Sequence, residues 1–188
     1  MFKEKIRVKL MEKSIKVGVY GLGKQGWPLM ARNAMEGFYT VGFSMQPAYV
    51  ESTNNGVNFW HDTTVPDDPK VTRRLVYDEH MHGTTDLSFV TKADILFVCV
   101  KDLAEELNLS AQVCAEKYAE GIAAFIRPDT AVIFITGGDV PNLYMDKIIT
   151  AMQGVSGLTV EQDFTVACMD IAHVLAGRPG DLLAEAIA

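Results

Sequence analysis

One stretch near the N-terminus restricts the folds open to this chain more than any other: Lys16-Val17-Gly18-Val19-Tyr20-Gly21-Leu22-Gly23-Lys24-Gln25-Gly26. A β-prone run ends in Gly21-x-Gly23-x-x-Gly26, and a helical pattern follows at once. Strand, glycine turn and helix in that order are the setting in which such a triplet holds a dinucleotide. The first glycine permits the tight turn, the second lets the backbone approach a pyrophosphate, and the third lets the helix pack close to the strand. Free N–H groups at the helix start, with the positive end of its dipole, then face the phosphates. Leu22, Lys24 and Gln25 complete the expected binding turn. A glycine-rich turn that binds nothing is the competing reading, and the flanking strand and helix weigh against it.

The rest of the chain repeats the alternation. Ile15–Tyr20 reads as strand one. The next helix, with Pro28 in its first turn, runs to about Glu36 and stops at Gly37. Tyr39–Phe43 reads as strand two, and Ala48–Thr53 as a short helix after Pro47. From Val57 to Gly83 the pattern is loop-rich, with a helix over Lys70–Tyr77. Thr84–Ser88 reads as a short strand leading to a capped turn at Asp86 or Ser88. Ile95–Val100 and Ala131–Ile135 are continuous apolar runs, the signature of strands buried on both faces. Helices are expected over Ser110–Phe125 and Pro141–Gln153, and a last strand over Phe164–Cys168. Gly177-Arg178-Pro179-Gly180 breaks the pattern, and 181–188 reads as a short exposed helix. The expected fold class is α/β: a Rossmann-type, doubly wound parallel sheet in a single domain, with strand order 3-2-1-4-5-6. Residues 1–13 read as an extension, 14–178 as the domain and 179–188 as a tail.

The bulk properties narrow the function. The 188 residues are 48% hydrophobic, enough for one domain with a real core and not for a second full catalytic domain. A net charge of −7 gives no general attraction to nucleic acid or to an anionic membrane. The basic N-terminus lacks the apolar core of a secretory signal, and no apolar run is long enough to span a bilayer. Cys99, Cys114 and Cys168 are odd in number and far apart, so reduced thiols in the cytoplasm are the simple reading. Cys99, inside an apolar run, reads as a small core residue. Asp78, Glu79, His80 and His82, with His61-Asp62 upstream, match no zinc spacing and read as solvated surface, so no metal is expected. Trp27 reads as packing beside the glycine turn, and Trp60 as a partly buried loop residue.

Several segments resemble one family. GLGKQGWPLMARNAMEGF, from Gly21, resembles the glycine loop and first helix of 6-phosphogluconate-type and nucleotide-sugar dehydrogenases. TTDLS at Thr84–Ser88 followed by KADILFVCV at Lys92–Val100 is similar to a stretch of UDP-glucose/GDP-mannose dehydrogenases. Ile122–Thr136 resembles that family's helix, turn and strand ending in Ser-Thr, and Ser156–Arg178 resembles its SGL…DFYLAYSPERVLPGR segment. The similarity runs in register from about Ile15 to Arg178 and covers only that family's N-terminal NAD-binding domain. It implies NAD, ahead of NADP, on Gly21–Gly26, with the adenosine ribose near Ser44 and the nicotinamide near Val100 and Thr136. It also implies a nucleotide-sugar as substrate of the complete enzyme.

The departures from the family pattern bear on function. The family's ribose-binding aspartate at the end of strand two is Ser44 here, and no Arg or Lys stands beside it to clamp a 2′-phosphate. Val100-Lys101-Asp102 replaces a proline-containing turn. Thr136 keeps the threonine that the resemblance places near the nicotinamide and a catalytic water, which makes it the one catalytic candidate. The family's acid/base glutamate is Ala172, with Asp170 and His173 the nearest titratable groups. The family's nucleophilic cysteine and sugar-binding residues lie in later domains that these residues do not match. The expectation is a dinucleotide-binding domain that is not catalytically complete alone. The alternatives are a subunit or fragment of a split nucleotide-sugar dehydrogenase needing a partner chain with the missing domains, a non-catalytic dinucleotide sensor, or a small stand-alone reductase of different substrate class with Lys101, Asp102 or His173 recruited.

Overall fold

Strand β1 (Lys16–Tyr20) sits near the middle of a six-stranded sheet built from β2 (Tyr39–Phe43), β3 (Met81–Thr84), β4 (Ile95–Cys99), β5 (Ala131–Thr136) and β6 (Thr165–Asp170). The order is β3-β2-β1-β4-β5-β6 and every pairing is parallel. This is the doubly wound order expected from the alternation, and it reverses direction between β1 and β4. The computed structural model describes residues 2–66, 68–136 and 143–185. The Gly137-Gly138 loop and the expected helix start at Pro141 lie outside them.

Alternating side chains divide the core between the two faces of the sheet. Val17, Val19, Ile95, Phe97, Cys99, Ala131, Ile133 and Ile135 pack on one face, against Trp27, Leu29, Met30 and Ala31 of α2 (Gly26–Met35), with α3 (Pro47–Asn54) and α4 (Pro69–Tyr77) adding partly buried residues at its margin. Leu96, Val98, Val132 and Phe134 pack on the other. There they meet α5 (Val100–Leu107), α6 (Ala111–Ala123) and α7 (Leu143–Ser156). Both faces are covered, which is why β4 and β5 read as unbroken apolar runs.

The structure departs from the sequence expectations in several places. Val100 does not end a strand; it opens α5, which follows β4 with no loop and which the alternating pattern did not reveal. Strand β3 begins at Met81, inside the stretch read as loop, and Asp86 caps a 3-10 turn, Leu87–Lys92, by accepting from Ser88 N. Strand β6 runs to Asp170, two residues beyond the expected end. The C-terminal helix α9 (Pro179–Glu185) is not an exposed tail: Leu182 and Leu183 are buried in the α2-side core.

The N-terminal α1 (Phe2–Met11) also packs on the domain, through Ile6. Lys9 Nζ donates to Asp94 Oδ1 at 2.6 Å, while Asp94 Oδ2 accepts from Lys16 N at 2.9 Å, so one buried carboxylate ties α1 to the start of β1. Arg32 of α2 donates to the carbonyl oxygens of Val174 and Gly177, joining α2 to α8 (Ile171–Ala176) and the chain beyond it.

Candidate functional site

The glycine turn leaves β1 at the carboxyl end of the sheet, at the switch point. Gly21 takes φ +104°, a left-handed conformation that a side chain disfavours. A Cβ at Gly26 would collide with the Gly21 carbonyl oxygen, so only glycine allows the helix start to lie against the turn. Helix α2 begins with no side-chain cap of its own: its N-cap residue, Gln25, makes no capping hydrogen bond. Trp27 N donates to Gly23 O at 3.1 Å, but the N–H groups of Gln25 and Gly26 depend on an acceptor from elsewhere.

That acceptor is Asp102, in the first turn of α5. Gly26 N donates to Asp102 Oδ2 at 2.7 Å, and Gln25 N donates to both carboxylate oxygens at 3.1 Å. Asp102 is only 2% exposed. Its carboxyl group fills the space opened by the absence of a side chain at Gly23, where a Cβ would overlap the Asp102 carboxyl carbon. One carboxylate thus serves two helix starts, in the first turn of α5 and across the sheet edge at α2. Burial pushes its pKa up to about 6, against the pull of the Gly26 and Gln25 N–H groups and with the Glu105 charge adding to the rise. No ion pair reaches Asp102 among the described residues.

Beside the turn opens a cleft of about 380 Å³ lined by Gly23, Gln46, Tyr49, Trp60, Asp102, Glu105 and Glu106. Its aromatic wall joins Tyr49, from the short helix after Pro47, to Trp60, from the segment read as loop-rich. Trp60 Nε1 donates to Leu22 O at 2.9 Å, and Tyr49, Phe59 and Trp60 pack edge-on or tilted with ring centroids 5.1 to 5.3 Å apart. The Lys24 ammonium lies 6.0 Å from the Trp60 ring centre.

Ser44, at the end of β2, is fully buried. Its hydroxyl donates to Glu106 Oε1 at 3.0 Å and accepts from Gln46 N at 3.0 Å. A carboxylate therefore stands at the end of β2 after all, delivered by α5 rather than by the strand. The other oxygen of Glu106 is buried and has no hydrogen-bond partner among the described residues. Burial raises the Glu106 pKa, and the Ser44 hydrogen bond works against the rise.

The expected site residues divide into two groups. Gly21, Gly23, Gln25 and Gly26 gather at the turn, with Lys24 over Trp60 and Ser44 one carboxylate away. Leu22 points into the core and presents only its carbonyl to Trp60. Val100 is buried with Leu103 and Tyr118 under α6, so its side chain is packing. Thr136 ends β5, opposite Asp170 in register, and is mostly buried. Asp170 caps α8 by accepting from Ala172 N at 2.7 Å. Sequence reasoning offered Asp102 only as a group that a reductase could recruit, not as the acceptor in the glycine turn, and it missed Glu106. The signal was present in the apolar spacing Val100, Leu103, Ala104, Leu107, with Asn108 in a left-handed C-cap, but it ran on directly from a buried strand.

Elsewhere the polar clusters hold structure. Asp78 pairs with Arg74 at 3.2 Å on the surface, and His82 lies on β3. Among the described residues no group of three or more His, Cys, Asp or Glu side chains could hold a metal ion. Burial pushes the Cys99 thiol well above its ordinary pKa, with Asp102 adding to the rise. No helix among the described residues is long and apolar enough to cross a membrane.

The fold has close relatives in shape. A UDP-D-ManNAc dehydrogenase from Pyrococcus horikoshii superposes with TM-score 0.68 at 17% identity, over 83% of this chain and 36% of that one. A GDP-mannose dehydrogenase from Pseudomonas aeruginosa gives TM-score 0.68 at 19% identity, over 90% and 43%. An NDP-N-acetyl-D-galactosaminuronic acid dehydrogenase from Methanosarcina mazei gives TM-score 0.67 at 17% identity, over 97% and 44%. No protein-family model and no curated protein sequence matches the chain. The chain thus spans less than half the length of these solved structures, and what it shares with the N-terminal part of nucleotide-sugar dehydrogenases is the Rossmann fold.

Proposed function

We propose that this chain is a dinucleotide-binding Rossmann domain that takes NAD(H) in preference to NADP(H) and is not a complete dehydrogenase by itself. The observation that carries the reading is the pair of N–H groups, Gln25 and Gly26, converging on an anion at the switch point of the sheet. A carboxylate is the acceptor these donors hold, and a pyrophosphate oxygen would use the same N–H groups. The glycines therefore suit a pyrophosphate in chemistry, although it and the Asp102 carboxylate cannot occupy the turn together.

Glu106 supports the choice of NAD. A carboxylate near the end of β2 accepts from ribose hydroxyls and repels a 2′-phosphate. The Tyr49–Trp60 wall offers an apolar face to an adenosine. NAD, when bound, supplies a hydride acceptor. The chain's own contribution is to hold it, with Thr136 the candidate beside the reacting end. Three buried or unpaired thiols fit a reducing, cytosolic setting.

Oxidation of a sugar alcohol to the acid level through a covalent intermediate needs a nucleophile and a base held with the acceptor. Cys99 is buried with a raised pKa, and Ala172 stands where the resemblance calls for a glutamate. Such activity would need a partner chain or further domains carrying the nucleophile and the nucleotide-sugar site. Titration with NADH, followed by the fluorescence of Trp60 against the glycine turn, tests the binding. A saturating change in the micromolar to millimolar range, tighter for NADH than for NADPH, is expected. No response from either the wild-type protein or Asp102→Ala at millimolar NADH overturns the reading.

A further inference from the structure

We propose that Asp102 is a built-in occupant of the phosphate position: α5 delivers a carboxylate into the glycine turn, and a dinucleotide binds there only by displacing it. The proposal rests on the dinucleotide reading above and adds the device that controls access to the same site.

The helix start and the open space at Gly23, where a phosphate would be received, are already engaged. Gly26 N and Gln25 N, the donors of the α2 start, are bonded to Asp102. The space left at Gly23 is filled by the Asp102 carboxyl group. A helix without its own cap gains one from a residue 76 positions downstream. The contact is therefore an internal copy of the interaction that a bound phosphate would make.

The copy is held in place from behind. Leu103 and Ala104 anchor the first turn of α5 in the core below α6, together with Val100. Displacement is then a rotation of the Asp102 side chain rather than a swing of the helix. The rotation leads into the cleft, where Glu105 and Glu106 already stand and oppose a third negative charge. An incoming dinucleotide must overcome the lost hydrogen bonds and this repulsion, so the wild-type affinity is set by a competition inside the protein.

Binding of two probes, inorganic pyrophosphate and NADH, to the full chain and its variants tests this. Asp102→Ala vacates the turn and is expected to tighten NADH by about 10- to 100-fold, the loss of one charge-assisted competitor. It should also gain pyrophosphate binding that the wild type lacks. Asp102→Asn removes the charge but keeps the bulk, and should give a smaller gain. Glu105→Gln removes a nearby charge without touching the turn, and should change NADH affinity by less than about threefold. Circular dichroism and thermal melting establish that each variant is folded, and Asp102→Asn serves if the alanine variant is not.

The outcomes separate the two readings. Pyrophosphate binding gained by Asp102→Ala, with NADH no tighter than pyrophosphate, upholds the internal occupant and overturns the dinucleotide reading. NADH bound equally by wild type and Asp102→Ala overturns the internal occupant and leaves the dinucleotide reading standing. An equal gain from Glu105→Gln overturns it too, since general charge rather than occupancy would then be the cause. No binding of either probe to any folded variant overturns both.

Discussion

At the scale of single residues, Asp102 concentrates most of the chemistry. Its carboxyl group has an unfolded-state pKa near that of an ordinary aspartate and a folded-state value near 6. Between about pH 4 and pH 6 the folded protein binds the extra proton, so stability must fall as pH rises through that window. The difference corresponds to roughly 3 kcal/mol across the window. Urea unfolding at several pH values should show this slope in the wild type and a flatter curve in Asp102→Asn; parallel curves would mean that Asp102 is not the titrating group. Gly26→Ala places a methyl group on the Gly21 carbonyl oxygen and should cost at least ~2 kcal/mol in the same assay. Glu106 is tested by selectivity. Replacing it with glutamine should narrow the preference for NADH over NADPH by about tenfold or more, since a like-charge contact with the 2′-phosphate is lost. An unchanged ratio would place the ribose elsewhere.

At the scale of elements, the two ends of the chain matter more than their polarity suggests. Helix α9 brings Leu182 and Leu183 into the same core as Trp27 and Met30, and α1 brings Ile6. Leu183→Ala and Ile6→Ala should each cost about 2–5 kcal/mol, the range for a buried aliphatic side chain cut to alanine. A surface helix would lose far less, so denaturant midpoints distinguish the two. Helix α5 is the element on which the site depends. Its apolar residues face the sheet and α6, while Asp102 and Glu106, four apart and so on one helical face, reach the glycine turn and the end of β2. A helix that starts on the residue after a strand ends leaves no loop through which these carboxylates could be held away from the site.

At the scale of the whole molecule, the sheet places β1, β2 and β4 so that their carboxyl ends surround one cleft. The fold is shared with the N-terminal parts of dehydrogenases more than twice as long. The chain alone, mixed with NAD and a UDP- or GDP-sugar, should produce no NADH above background. Turnover by the isolated chain would require a nucleophile and base that the described residues do not bring together. Activity appearing only when a cysteine-bearing partner chain is added would identify it as part of a split enzyme.

The amino-acid sequence by itself determined the sheet order and the glycine turn, because both are written in local terms. Strand runs such as Ile95–Cys99 follow from burial on two faces, and Gly21 follows from a backbone angle that few other residues adopt. It also placed a serine where the resemblance calls for an aspartate. Only the tertiary structure decided what fills the turn. Asp102 lies 76 residues from Gly26 and Glu106 lies 62 from Ser44, so neither contact has a local signature. Helix α5 was hidden because its apolar face continues that of β4 without a break, and periodicity cannot mark a boundary where both elements are buried. Only folding carries a carboxylate from one face of the sheet over its edge to the helix start on the other.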